Sequence, residues 1–172
     1  MAITPDTKDW TWVLDEKCPE CGFDADSLTP QDVAERIDAA LPRWDAVMSR
    51  PGVAERPDGS TWSPLEYGFH VRDVFELFRH RLGLILAEDG AQFPDWNQDA
   101  TALEKDYGHA DPETVRAELA EQGALARDAF AAVPSEAFGR RGLRSNGSAF
   151  TVVTLARYFL HDVEHHLADV AG

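Results

Sequence analysis

The stretch Ser63-Pro64-Leu65-Glu66-Tyr67-Gly68-Phe69-His70-Val71-Arg72-Asp73-Val74-Phe75-Glu76-Leu77-Phe78, continuing to about Glu88, decides the fold. It opens on a capping box. The Ser63 hydroxyl accepts from the N–H three residues on, Glu66 reaches back, and Pro64 takes the first helical position, where no N–H is needed. Phe69, Val71, Val74, Phe75, Phe78, Leu82, Ile85 and Leu86 then recur at helical spacing over a face too wide for one neighbour. The pattern predicts a long helix packed against more than one other.

Working outward, three more helices carry their own start signals. Thr29-Pro30 begins one through Val33, Ile37, Ala40, Leu41, Trp44, Val47 and Met48, with Pro42 as an expected kink. Asp111-Pro112-Glu113 begins another, its acidic side chains set against the positive end of the helix dipole, through Val115, Leu119, Leu125 and Phe130 to about Val133. The last begins near Ser148 and carries Val152, Leu155, Phe159, Val163, Leu167 and Val170. No segment between them alternates like a strand. Amphipathic helices hide their stripes most economically against one another, so residues 29–172 are expected to form an all-α four-helix bundle. Residues 1–28 hold Trp10, Trp12, Val13, Leu14 and Phe23, enough apolar area to predict an ordered N-terminal arm packed on that bundle. The connections 50–61 and 90–110 are long, a length that marks functional or crossover segments.

A chain of 172 residues corresponds to one domain at roughly 150 residues per domain. Its 31 acidic side chains against 16 Lys and Arg give a net charge of −15, which repels phosphate backbones and anionic lipid. Nucleic acid and membrane are therefore not expected partners. The apolar runs are a few residues long, whereas a membrane span needs about 20. The first residues lack the basic and apolar regions of a secretory signal, which predicts a cytoplasmic protein. Neither G-x-S-x-G nor G-x-G-x-x-G occurs, so serine hydrolases and dinucleotide enzymes gain no support.

Chemistry concentrates in the histidines. His161 and His165 lie four apart on the last helix, so their rings leave one face a turn apart and can share an ion. Imidazole suits zinc, nickel, iron or copper, and a third ligand from another helix leaves positions open for water or substrate. His70 is the natural third, with Asp73 one turn on as a supporting carboxylate. The helical wheel resists this choice: the stripe of Val152, Phe159, Val163 and Val170 points nearly opposite to His161 and His165, and His166 lies nearer the stripe. Either this end of the helix is covered on both sides, or the pair is exposed, or Asp162 with His166 is the inward pair and His166 replaces His165. Paired histidines on an acidic helix are also commonly just solvated.

Cys18-Pro19-Glu20-Cys21-Gly22 has the form of a zinc knuckle, but no second C-x-x-C completes four ligands. Cys18 and Cys21 could be completed by His or carboxylate, be completed across a dimer, act as a dithiol redox pair, or simply be packed in a tight turn. Asp162 and Glu164 flank the histidines as candidate general bases, although acidic residues of an acidic helix are usually solvated. Arg72 and Arg157 are candidates for an anionic substrate group, with plain ion pairing as the alternative, and Trp62 and Tyr158 for a pocket wall.

The string Trp62 to Val74 resembles the second-helix signature of the DinB/YfiT-like family, in which a Trp and a capped start lead to a metal-binding His followed three residues later by Asp. The string Tyr158-Phe159-Leu160-His161-Asp162-Val163-Glu164-His165-His166 is similar to that family's H-x-x-x-H motif. The resemblance spans roughly Thr29 to Val170. It implies a four-helix bundle, often a homodimer, that holds a divalent transition metal, zinc or nickel, through His70, His161 and His165. It also implies a transferase or isomerase that uses a low-molecular-weight thiol such as mycothiol or bacillithiol on a small electrophile, the metal lowering the thiol pKa. A non-catalytic metal-binding or stress-response module and a metal-assisted hydrolase are the alternatives.

Overall fold

The computed structural model describes residues 3–172, so the first two residues of the arm lie outside it. Four long helices make the body: α1 (Pro30–Met48), α2 (Pro64–Ala87), α4 (Pro112–Ala131) and α5 (Val152–Asp169), with a short α3 (Gln98–Glu104) in the connection after α2. Local chemistry explains where each long helix starts. Thr29 with Asp32, Ser63 with Glu66 and Thr151 with Thr154 close capping boxes, and Asp111 caps α4 through the Thr114 N–H.

Around the bundle, α4 and α5 each pack against both α1 and α2, while α1 and α2 touch little. Successive helices α1 and α2 therefore sit diagonally, and the long 49–63 connection spans that diagonal. Gly123 lets α4 approach closely: a Cβ there would lie 2.3 Å from Leu41 Cδ2 and 3.1 Å from Phe75 Cε2. The core centres on Phe159 of α5, whose ring stacks on Phe130 at 5.0 Å and Phe78 at 5.3 Å and meets Phe75 edge-on at 5.8 Å.

The expectation of no strands is corrected by a three-stranded sheet of β1 (Ala91–Phe93), β2 (Arg141–Arg144) and β3 (Ala149–Thr151). β1 pairs parallel to β2 with Ala91 opposite Gly142, and β2 pairs antiparallel to β3 with Leu143 opposite Ala149. Strands of three and four residues are too short for a period of two to register, and β1 finds its partner some 50 positions away. The sheet rests on the C-terminal part of α2: a Cβ at Gly142 would fall 2.5 Å from Ile85 Cδ1. Because residues 149–151 go to β3, α5 begins at Val152 rather than near Ser148.

The arm crosses α5. It forms a 3-10 turn over Trp10–Leu14, then the Cys18–Gly22 turn, with Val13, Cys18 and Phe23 buried. Arg157 of α5 ties it down by donating to the Leu28 carbonyl at 2.8 Å.

The capping box of α2 also sets a pH response. Glu66 is buried, and its Oε2 accepts from Arg56 Nε at 2.9 Å and from the Ser63 N–H at 2.8 Å. Burial favours the neutral acid, but Arg56 and Ser63 outweigh it and hold the carboxyl below its ordinary range. A folded-state pKa below the unfolded value means stability that is full above the unfolded pKa, about 4.3, and is lost as pH falls through the folded one. Glu66→Gln is expected to lower stability by about 1–3 kcal/mol near neutrality, the value of hydrogen bonds to a charged group. The gap between variant and parent, read from urea midpoints, should close as pH falls below about 4; a gap unchanged down to pH 3 would refute the assignment.

Candidate metal centres

Adjacent residues on a helix point about 100° apart, so the run His161-Asp162-Val163-Glu164-His165-His166 presents two i, i+4 pairs in two directions. His161 and His165 face the arm, and Asp162 and His166 face α2. Both sides of this end of α5 are covered.

On the arm side, Cys18, Cys21, His161 and His165 each place one donor atom within 4.8 Å of the others. Cys18 Sγ lies 3.8 Å from His165 Nδ1. His165 Nε2 points between Glu20 Oε2 at 3.6 Å and Asp169 Oδ1 at 3.8 Å. His161 is packed between Trp10 and Phe23, ring centroids 5.4 and 5.3 Å away, and its Nε2 is buried with no hydrogen-bond partner among the described residues. Burial first, and the neighbouring His165 second, push the His161 pKa down to about 4. Burial lowers that of His165 as well, so both rings are neutral near pH 7.

On the α2 side, His70, Asp162 and His166 form the second group. Asp162 Oδ1 lies 3.1 Å from His70 Nε2 and 3.4 Å from His166 Nε2. His166 Nδ1 is bound to Asp169 Oδ2 at 2.7 Å, the arrangement in which a carboxylate fixes the tautomer and aim of a metal-binding imidazole. The His70 ring stacks on Trp96 at 5.3 Å, and its Nδ1 is buried without a partner among the described residues. Burial would raise the Asp162 pKa, but His70 and His166 hold it at about 2. Burial opposes charge on His166 too, yet Asp169 and Asp162 raise its pKa.

Each donor set fits a divalent ion. Two imidazoles and a carboxylate suit an ion with open positions, and two thiols with two imidazoles suit a closed tetrahedral one. A cavity of about 290 Å³ lies between the arm and the helix ends, and His161, Asp162, His165, His166 and Asp169 are on its wall. Trp10, Trp62, Tyr67 and Tyr158 supply aromatic faces to it, Asp6 and Asp99 supply carboxylates, and no described Lys or Arg lines it.

The residues singled out in the sequence are thus redistributed. His70, His161 and His165 do not converge: His70 meets Asp162 and His166, while the other two meet the cysteines. Asp73 does not support His70. It accepts from Tyr107 Oη at 2.5 Å, Lys105 Nζ at 2.8 Å and Arg72 Nη1 at 2.6 Å. Arg72 is occupied by Asp73, Glu76 and Glu118, and Arg157 by the arm, so neither lines the cavity. Glu164 pairs with Arg36 on another face. Trp62 and Tyr158 do reach the cavity. Asp169 and Trp10 were not among the candidates; the i, i+3 spacing from His166 could have signalled Asp169, and nothing local signals Trp10.

A bundle of diagonal successive helices, with candidate metal ligands from α2 and α5 gathered at one end, defines a class of four-helix proteins with candidate metal centres. Within that class the chain belongs to the DinB superfamily, whose sequence profile matches residues 48–170. Its fold is similar to that of YfiT from Bacillus subtilis, described as a probable metal-dependent hydrolase with an unusual four-helix bundle topology. The TM-score is 0.67 at 20% identity over 83% of each chain. No curated protein matches the sequence. Among the described residues, no helix is long and apolar enough to cross a membrane.

Proposed function

We propose that the chain is a metal-dependent enzyme in which His70, Asp162 and His166 hold a divalent ion, zinc or nickel, and that it acts on a small neutral thiol of the mycothiol kind, transferring it to an electrophile or isomerising its adduct. The observation that carries this reading is the three-donor cluster, with Asp162 and His166 on the wall of an aromatic cavity. A bound ion there would supply Lewis acidity, lowering the pKa of the thiol. Asp162 contributes one negative charge to the donor set and leaves room for a thiolate's second. Asp169 keeps His166 Nε2 directed at the site by holding Nδ1. Asp99, whose carboxyl is raised by burial and by neighbouring Asp6, is suited to accept the thiol proton and return it.

Charge selects among thiols. Asp6, Asp99 and Asp169 without a lining Lys or Arg disfavour bacillithiol and glutathione, which carry carboxylates. A neutral sugar-bearing thiol fits better, because aromatic faces cover ring C–H groups and carboxylates accept from hydroxyls. We also place the chain in the cytoplasm, where such thiols are kept reduced.

The test supplies zinc- or nickel-loaded protein with mycothiol, bacillithiol or glutathione and a fluorogenic electrophile. Turnover is expected with mycothiol above both anionic thiols, and none in His70→Ala. Hydrolysis of an ester or amide panel with no thiol consumption would replace this reading by the hydrolase one, with water in the open position.

A further inference from the structure

We infer that Cys18, Cys21, His161 and His165 form a second, closed zinc site that fastens the N-terminal arm to α5. The site lies on the arm-facing side of α5, about 100° around the helix from the proposed reaction centre, and shares no ligand with it.

The arm supplies the sulfurs through a turn built for the purpose. Gly22 N–H donates to the Cys18 carbonyl at 2.8 Å, the Cys18 N–H donates to the Phe23 carbonyl at 2.8 Å, and Gly22 takes φ +78° to close the loop. That left-handed conformation favours glycine. The turn brings the thiols of residues three apart to one side. α5 supplies the nitrogens from residues one turn apart on the facing side. Tetrahedral zinc, with bonds of about 2.3 Å to sulfur and about 2.0–2.1 Å to nitrogen, separates its donors by roughly 3.3–3.8 Å. The observed 3.8 Å from Cys18 Sγ to His165 Nδ1 is already in that range, and the four donors all fall within 4.8 Å.

Three further features point to an ion rather than to packed thiols. His161 is 4% exposed, yet its Nε2 has no partner among the described residues. His165 turns Nε2 toward Glu20 and Asp169, 3.6 and 3.8 Å away, and presents Nδ1 to the Cys18 sulfur. Two thiolates balance the charge of zinc, which suits a buried centre inside an acidic protein. With four protein ligands the site has no open position, so its role is structural. It positions Trp10 and the arm as one wall of the cavity, and Asp169, with one oxygen facing each centre, links the two.

Cobalt exchanged into the full chain reads the site directly. Thiolate-to-cobalt charge transfer and the strong visible bands of a tetrahedral ion are expected. They should vanish in Cys18→Ser and His161→Ala and persist in His166→Ala. Elemental analysis should show each of those first two variants losing one zinc per chain, with circular dichroism reporting whether it folds. The cysteines of the parent protein should resist a thiol reagent until a chelator is added. If the variants do not fold, the parent's cobalt spectrum and thiol protection still decide. Weak octahedral bands without charge transfer, a Cys18–Cys21 disulfide in the metal-loaded protein, or zinc content unchanged in the double Cys→Ser variant would each overturn the site. Failure of the thiol-transfer reading alone would leave the cobalt spectrum intact.

Discussion

His166→Ala is expected to abolish turnover while leaving the fold and the Cys18/Cys21 centre in place. The ring presents Nε2 to Asp162 Oδ1 at 3.4 Å and is fixed from behind by Asp169 at 2.7 Å. Without it, His70 and Asp162 remain as two ligands, too few to hold an ion against water. Asp169→Asn keeps the ring but weakens its hold and its basicity, and should cost about 10–100-fold in activity or metal affinity. His161→Ala separates two readings of the same helix. If His70, His161 and His165 shared one ion, this variant would lose the catalytic metal; with the observed grouping it loses the structural one instead. Metal stoichiometry and turnover, measured on all three variants, decide the matter. Full activity in His166→Ala would remove the reaction centre from this cluster.

What the sequence could show divides along the range of the interactions. Helix starts at Thr29, Ser63 and Asp111 were legible because a cap is completed within three residues. The start of α5 was placed four residues early because Ala149–Thr151 are claimed by a pairing with β2 that no local pattern announces. The same limit governs the site. The i, i+4 pairs of α5 were visible, and the wheel set His161 and His165 nearly opposite the apolar stripe, leaving open coverage on both sides, an exposed pair or an inward Asp162–His166 pair. Which pair faces which partner depends on Cys18, 147 positions from His165, and on His70, 92 positions from Asp162. Asp73 had the right spacing to support His70, but the Tyr107 hydroxyl, brought in by the turn after α3, takes its oxygen. The four-helix DinB-type bundle was readable from capping and periodicity together with the Trp62–His70 string; the division of the histidines between two centres was not.

Phe159→Ala should have the largest effect on stability. The side chain is fully buried at the middle of α5 and touches aromatic rings from α2 and α4, so it belongs to the packing of three of the four helices. Truncation removes the ring's transfer free energy and leaves a cavity that Phe75, Phe78 and Phe130 cannot close together, because each is fixed on a capped helix. The expected cost is about 3–5 kcal/mol, a large part of the 5–15 kcal/mol that typically separates folded from unfolded states. For a chain of this length that is a fall in Tm on the order of 10 °C. Phe159→Leu refills most of the volume and should cost markedly less. The position lies two residues before His161, so a change in helix packing there moves both centres. Calorimetry of the parent and the two variants with and without bound zinc tests the coupling: an ion held only by the folded state raises each Tm by mass action, and the alanine variant, with its centres displaced, should gain less than the parent. Equal melting temperatures for Phe159→Ala and its parent would mean that this aromatic cluster does not hold the bundle together.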